Sequence, residues 1–508
     1  MLTETPPFRP FADLLRDHAR RRPGDPALTD ADGTIDWAAL DQRIDRIAAR
    51  LQAEGVGKGD AVAMLGRNSI PHALVFCAAL RIGAVAAPLT ASATPEAIAA
   101  MLRDCGASHL FADSDAIAAL PADVRESGPR ITAMDGAAMT GWMEEDRGAP
   151  SPVAIAPGDP FNIIYSSGTT GTPKGIVQSH AMRHGHVARA ARFGYDESAV
   201  TLISTPLYSN TTLVCFLPAL AGGGHVVMMS KFDARRFLEL SQRHRVTHAA
   251  LVPVQYQRLM DLPDFDRFDL SSYRFKSSTS APFPPALMAD VLARWPGALI
   301  NIYGMTEGGG TCILQAHEYP DMLHTVGRPV EGHDIRLIGE DGREVAAGEA
   351  GEVVGHSGAM MTGYLGQPGK TREAEWHDDQ GRRFIRHGDI GRFDEDGFLM
   401  LIDRAKDMII SGGFNIYPSD IEAVLVAQPS VREAAVVGVP SRQWGETPVA
   451  FAVLREGADA QALLAAVNGK LGKTQRLHDL VPVDALPRSA IGKVLKRELR
   501  ERYGPARG

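Results

Sequence analysis

Short apolar runs alternating with amphipathic stretches set the rhythm of the first three hundred residues. Residues 61–65 are five apolar side chains between Asp60 and Gly66, a length that suits a buried strand and is too short for a helix. Residues 72–81 then place apolar side chains at helical spacing, 84–88 read as a strand, 96–104 as a helix and 109–112 as a strand. The alternation resumes further on. Strands over 200–204, 225–229, 246–251 and 298–302 are interleaved with helices over 212–221, 233–244 and 284–295. Such units build parallel strands into sheets with helices laid over them, so the pattern predicts an α/β fold with parallel-rich sheets.

From about Gly327 the texture changes to short strands broken by Gly-Glu, Gly-Arg and Asp-Gly pairs, which predicts a β-rich subdomain over about 327–402. Another change follows at Asp403. Beyond it come a helix over 419–427, strands over 434–439 and 449–454, a helix over 459–470 and a charged last helix over 493–502. We therefore expect a large N-terminal domain over 1–402, a connector at 403–407 and a small α+β domain over 408–508. The length supports this division, because 508 residues exceed what one core encloses.

Charge and cysteine usage remove several function classes. The net charge is −8 and the basic residues are scattered, which gives no footprint for nucleic acid. Cys77, Cys105, Cys215 and Cys312 are too widely spaced for a metal knuckle and read as free thiols of a reducing compartment. Glu4 and Asp13 precede any long apolar run, and no apolar run reaches the length of a membrane span. The expected location is the cytoplasm.

The stretch richest in chemistry is Ser166-Ser167-Gly168-Thr169-Thr170-Gly171-Thr172-Pro173-Lys174-Gly175. It follows an apolar run at 161–165 and precedes a helix-compatible segment at 180–192. Little side-chain bulk, many backbone N–H groups, several hydroxyls and one lysine suit the oxygens of a nucleotide's phosphates. The order of residues is not that of the Walker loop.

This loop resembles the phosphate-binding loop of the adenylate-forming superfamily, which contains acyl- and aryl-CoA synthetases, beetle luciferases and the adenylation domains of peptide synthetases. Four further blocks resemble the family's motifs in its order: Tyr303-Gly304-Met305-Thr306-Glu307, Gly388-Asp389, Asp403-Arg404-Ala405-Lys406-Asp407 running into Ser411-Gly412-Gly413, and Pro487-Arg488-Ser489-Ala490-Ile491-Gly492-Lys493. The resemblance implies an AMP-forming acid–thiol ligase. The acid's carboxylate attacks the α-phosphate of ATP, pyrophosphate leaves, and the thiol of CoA then displaces AMP from the acyl-adenylate. It also implies roles. Ser166, Ser167, Gly168, Thr169, Thr170, Gly171 and Lys174 hold the phosphates, while Glu307 and Thr170 hold Mg²⁺. Thr306 contacts the α-phosphate and Tyr303 lies along the adenine. Asp389 accepts the ribose hydroxyls, and Arg404 and Asn415 complete the nucleotide set. Lys493 acts in adenylation from a mobile C-terminal domain hinged at Lys406, and Gly412 with Gly413 lines the pantetheine tunnel. The oligomer to expect from the family is a homodimer.

The acyl pocket departs from the pattern of these relatives. Many show Pro-Leu-x-His, where this chain has Pro206-Leu207-Tyr208-Ser209, and a Ser-Gly-Ala/Gly-Ala-Pro loop, where it has Ser278-Thr279-Ser280-Ala281-Pro282. Tyr208, Val214, Phe216, Thr279, Met305 and Gly308 are the candidate wall residues, and Gly308-Gly309-Gly310 is expected to leave space beside the reacting carbon. No arginine or lysine stands beside these blocks in sequence. The expected substrate is therefore a hydrophobic monocarboxylate, aryl or medium- to long-chain aliphatic, rather than a dicarboxylate or amino acid. Three other readings share the motifs or the fold: an adenylation enzyme loading a separate carrier protein, a luciferase-like oxygenase and a non-catalytic scaffold.

Overall fold

The computed structural model describes residues 7–144, 148–166, 174–404, 407–411, 414–416, 418–441, 445–471, 475–488 and 494–503. The chain divides into two compact units, one of residues 1–324, 330–334 and 355–385, the other of 325–329, 335–354 and 386–508.

The first unit contains two sheets. In one, the strands lie in the order Gly363–Tyr364, Lys174–Ser179, Pro160–Ser166, Val85–Pro88, Ala61–Leu65, His109–Ala112 and Arg130–Ala133. In the other, Cys312–Gln315 is followed by Ala298–Tyr303, Phe275–Ser278, His248–Leu251, Val200–Ile203, His225–Met228, Pro26–Thr29 and Thr34–Asp36. The strands that come from strand–helix–strand units pair parallel, as the pattern predicts, while antiparallel pairs occur where a short return closes a hairpin and where Gly363–Tyr364 adds to the edge of the first sheet. Two helices are apolar nearly all round, Ile70–Arg81 and Asn210–Ala221, and both are buried almost throughout. That is the signature of a helix with no solvent face. They sit in a core that takes side chains from both sheets, where Phe76 packs against the edges or tilted faces of Phe161 and Phe216.

One strand was hidden by its polarity. Phe275–Ser278 is polar at three of its four positions, yet every residue in it is buried. Lys276 is fully buried because its ammonium donates to the carbonyls of Trp295, Pro296 and Gly297 at 3.2, 2.5 and 2.8 Å and lies 5.6 Å from the centroid of the Trp295 ring. Those carbonyls follow the helix Pro285–Arg294, where a cation is favoured.

Asp334–Ile338, Gly351–His356, Arg383–Phe393 and Leu399–Arg404 form a β-rich layer whose residues fall mostly in the second unit. The remainder is α+β. The strands Val431–Ser441 and Gly445–Leu454 pair antiparallel, Asp479–Pro482 adds in parallel, and the helices Pro418–Val426, Ala460–Asn468 and Lys496–Tyr503 accompany them. The small core here is built around Ile409, Ile421, Leu425, Val436, Ala450 and Val467.

Candidate active site

The glycine-rich stretch is carried on a hairpin. Pro160–Ser166 and Lys174–Ser179 pair antiparallel, with Ser166 opposite Lys174. A strand therefore lies between the loop and the helix His180–Ala190, and the sequence pattern had not marked it. Ser179 caps that helix by accepting from Met182 N at 3.2 Å. Of the candidate residues, Ser167, Gly168, Thr169, Thr170, Gly171, Lys406, Gly412, Gly413 and Lys493 lie outside the described residues.

Lys174 and Glu307 share a neighbour that the motifs do not point to. The Lys174 ammonium stands 5.1 Å from the centroid of the Tyr364 ring, and the Tyr364 hydroxyl donates to Glu307 Oε1 at 2.9 Å. Burial, together with the adjoining carboxylate, raises the Tyr364 phenol far above its ordinary value and keeps it a donor. One aromatic side chain thus orients the carboxylate with its hydroxyl and offers its face to the cation.

The main chain at Thr306 and Glu307 is held from two further sides. Gln178 Nε2 donates to the Thr306 carbonyl at 2.6 Å, and Met361 N donates to the Glu307 carbonyl at 2.7 Å. Gln178 is fully buried and belongs to the strand that begins with Lys174, so one strand serves both halves of the site. The glycines after Glu307 have a different cause from the one expected. Gly308 and Gly309 have φ of +78° and +92°. A β-carbon at Gly308 would stand 2.0 Å from the Ala359 carbonyl oxygen, and one at Gly309 would stand 2.8 Å from that of Gly355. These two glycines admit a neighbouring backbone; they do not leave room for an acyl group.

The acyl candidates fall into two groups. Tyr208 is buried in the turn at 206–209, which Asn68 holds by accepting from Leu207 N at 2.9 Å and donating to the Thr205 carbonyl at 2.9 Å. Val214, Thr279 and Met305 are half-buried. Phe216 is fully buried against Phe76, so it serves as core packing. Ser280, in the loop that departs from the family pattern, has φ of +77°, a strained conformation for a residue with a side chain. Its hydroxyl meets that of Thr211 at 2.6 Å, which fixes the loop to the helix Asn210–Ala221.

In the second unit, Asp389 and Arg404 are register partners in the antiparallel pair of Arg383–Phe393 with Leu399–Arg404. The fifteen-residue separation in sequence thus becomes a direct juxtaposition of backbones. Asp389 is buried, and Gly388 before it has φ of +65°. Asn415 faces Ile410 across the hairpin of Ile409–Ser411 with Phe414–Ile416.

Among the described residues no group of three or more His, Cys, Asp or Glu could hold a metal ion. Mg²⁺ is commonly held by one or two carboxylates plus substrate phosphates and water. Glu307, with one carboxylate oxygen engaged by Tyr364, is an acid of that kind. Among the same residues no helix is long and apolar enough to cross a membrane.

Comparison with known proteins gives the family. Residues 15–365 match the model of the AMP-binding enzyme family, and residues 420–493 match that of the AMP-binding enzyme C-terminal domain. The chain is 34% identical over 502 residues to a feruloyl-CoA synthase of Amycolatopsis sp, covering 96% of this chain and 97% of that one. It is 32% identical over 500 residues to a long-chain-fatty-acid–CoA ligase of Mycobacterium tuberculosis, covering 96% and 98%. ATP-bound MatB from Rhodopseudomonas palustris superposes with a TM-score of 0.86 at 29% identity, over 97% of this chain and 99% of that one. The chain belongs to the AMP-binding enzyme family, in the acyl-/aryl-CoA synthetase branch of the adenylate-forming superfamily, and its general chemistry is that of an AMP-forming acid–CoA ligase.

Proposed function

We propose that the enzyme joins a hydrophobic carboxylic acid, aryl or medium- to long-chain aliphatic, to CoA through an acyl-adenylate. The observation that carries this reading is the linkage of Lys174, Tyr364 and Glu307, a cation and a carboxylate fixed beside the phosphate-loop hairpin. Lys174, with Thr169 and Thr170, holds the β- and γ-phosphates, and Thr306 meets the α-phosphate. Charge shifts toward pyrophosphate as the carboxylate attacks, and fixed donors aimed at that charge are what lower the barrier. Glu307 and Thr170 would hold Mg²⁺, which supplies neutralisation of the phosphates when bound. Tyr303 lies along the adenine, while Asp389, Arg404 and Asn415 bind the ribose side of the nucleotide. Lys493 reaches the carboxylate and α-phosphate in the first half-reaction. A hinge at Lys406, between a domain of residues 1–402 and one of 408–508, then withdraws it and brings Gly412 and Gly413 to the pantetheine arm. Tyr208, Val214, Thr279 and Met305 line the acyl pocket. The names of the two relatives, one acting on an aryl acid and one on long-chain fatty acids, support both halves of the substrate range.

A panel of carboxylic acids tests the reading. With ATP, Mg²⁺ and CoA we expect AMP, pyrophosphate and acyl-CoA from aryl or longer aliphatic acids, with acetate, malonate and amino acids poor. Each buried methylene contributes roughly 0.8 kcal/mol, so a medium-chain acid should exceed acetate by more than tenfold in kcat/KM. Acetate as the best substrate would overturn the pocket assignment, and ADP with orthophosphate as products would overturn the chemistry.

A further inference from the structure

Beside the base of the phosphate-loop hairpin stands a carboxylate that the chemistry above does not use. Asp104 lies in the last turn of the helix Pro95–Cys105, near the negative end of that helix's dipole. An acid is disfavoured there. Asp104 is exposed, yet its Oδ2 accepts from the hydroxyl of the buried Tyr165 at 2.8 Å. The same hydroxyl stands 3.1 Å from the Met101 carbonyl, three residues earlier on the helix. Burial, with Cys105 and Asp104 beside it, raises the phenol far above its ordinary value, so the proton stays on the oxygen to be donated. Ile98, Met101, Leu102, Ile163 and Tyr165 share one buried cluster, which ties the helix to the strand that leads into the loop.

Tyr165 sits where the hairpin opens. It is the register partner of Gly175, and the next pair outward is Ser166 with Lys174. A β-carbon at Gly175 would stand 3.0 Å from Ile163 Cγ2 and 3.2 Å from both Asp104 Oδ2 and Tyr165 Cε1, tighter than a β-carbon ordinarily packs. The last glycine of the motif therefore makes room for the Tyr165–Asp104 pair. On its other side the Gly175 carbonyl accepts from Leu365 N at 2.8 Å, and Gly363–Tyr364 pairs with Val177 and Ile176. Tyr364 in that strand meets the Lys174 ammonium with its ring and Glu307 with its hydroxyl. The backbone that carries Lys174 is thus gripped from two sides, by the Gly363–Tyr364 strand and by Asp104 through Tyr165.

We propose that Asp104 and Tyr165 are positioning residues for the departure of pyrophosphate: acting through Gly175, they aim Lys174 at the β- and γ-phosphates. This rests on the acid–CoA ligase reading above and adds a dependence confined to the first half-reaction. A donor helps developing charge only while it is fixed in place, and a small displacement from a distant change is costly. Displacement of AMP by CoA handles no β- or γ-phosphate, so a displaced Lys174 does not slow it.

The test measures the half-reactions separately in the full-length enzyme, with cinnamic and octanoic acids as probes. ATP–pyrophosphate exchange reports the first, and conversion of the synthetic acyl-adenylates with CoA reports the second. Tyr165→Phe and Asp104→Leu should each lower exchange by about tenfold, the scale of one hydrogen bond to a charged group. The KM for the acid, the thioester rate and the melting temperature should change little. Asp104→Asn keeps an acceptor and should recover most of the loss. Tyr165→Phe combined with Asp104→Leu should lose no more than either alone, because both remove one interaction. Asp104 is exposed, so if Tyr165→Phe does not fold, the leucine and asparagine variants still decide. A loss shared equally by the two half-reactions, an unchanged exchange rate, or equal behaviour of Asp104→Asn and Asp104→Leu would overturn the proposal. Wild-type enzyme that exchanges pyrophosphate with neither acid would instead refute the ligase reading, and the proposal with it.

Discussion

Replacing Lys493 with alanine is expected to lower acyl-adenylate formation by at least about 10²-fold, because a charge that stabilises the attacking carboxylate and the α-phosphate is lost. The same variant should convert prepared acyl-adenylate and CoA to thioester at a substantial rate, since the proposed hinge motion turns Lys493 away in that half-reaction. Gly413→Leu should behave in the opposite way, sparing adenylation and crowding the pantetheine tunnel. Simple destabilisation would depress both half-reactions together, so the crossed pattern is what distinguishes the account. Rapid-quench measurement of each half-reaction decides it, and equal losses in both would refute the rotating-domain assignment.

Glu307→Ala should also cut adenylation by about 10²-fold or more, by leaving the phosphates without a carboxylate-held metal to neutralise them. Tyr364→Phe provides the graded companion. It removes the hydroxyl that donates to Glu307 Oε1 and keeps the ring beneath Lys174. One lost hydrogen bond to a charged group is worth about 1.5–3 kcal/mol, roughly a tenfold or larger loss of kcat. The apparent Mg²⁺ requirement should rise in both variants while the melting temperature changes little. Full activity of Glu307→Ala at saturating Mg²⁺ would assign the metal to another residue.

Elements whose burial is written into every residue were legible from sequence. Ala61–Leu65 and His109–Ala112 are short, bounded runs buried at each position, and both lie where the pattern puts them. Phe275–Ser278 was not legible, because a lysine and two serines read as surface until the carbonyls that receive Lys276 are brought up by the fold. The short strand Lys174–Ser179 was not marked for a similar reason: its partner strand, not its own composition, defines it. Within the site, the motif residues Lys174 and Glu307 could be named in advance, whereas Tyr364 lies 57 residues from Glu307 and belongs to no block that points to it. Gln178 reads as a polar position of the surface. Only tertiary packing shows that it is sealed from solvent. The glycines at 308 and 309 were located correctly but explained wrongly, since a positive φ and an approaching carbonyl leave no trace in a one-dimensional pattern.

The central claim is that the acid's own carboxylate oxygen attacks the α-phosphate of ATP. The most direct measurement supplies a substrate acid labelled with oxygen-18 in both carboxylate positions and analyses the nucleotide product by mass spectrometry after turnover with CoA. Thiol attack on the acyl carbon breaks the carbon–oxygen bond, so AMP should leave with a single labelled oxygen and the pyrophosphate with none. Unlabelled AMP, or ADP with the label in orthophosphate, would contradict the account.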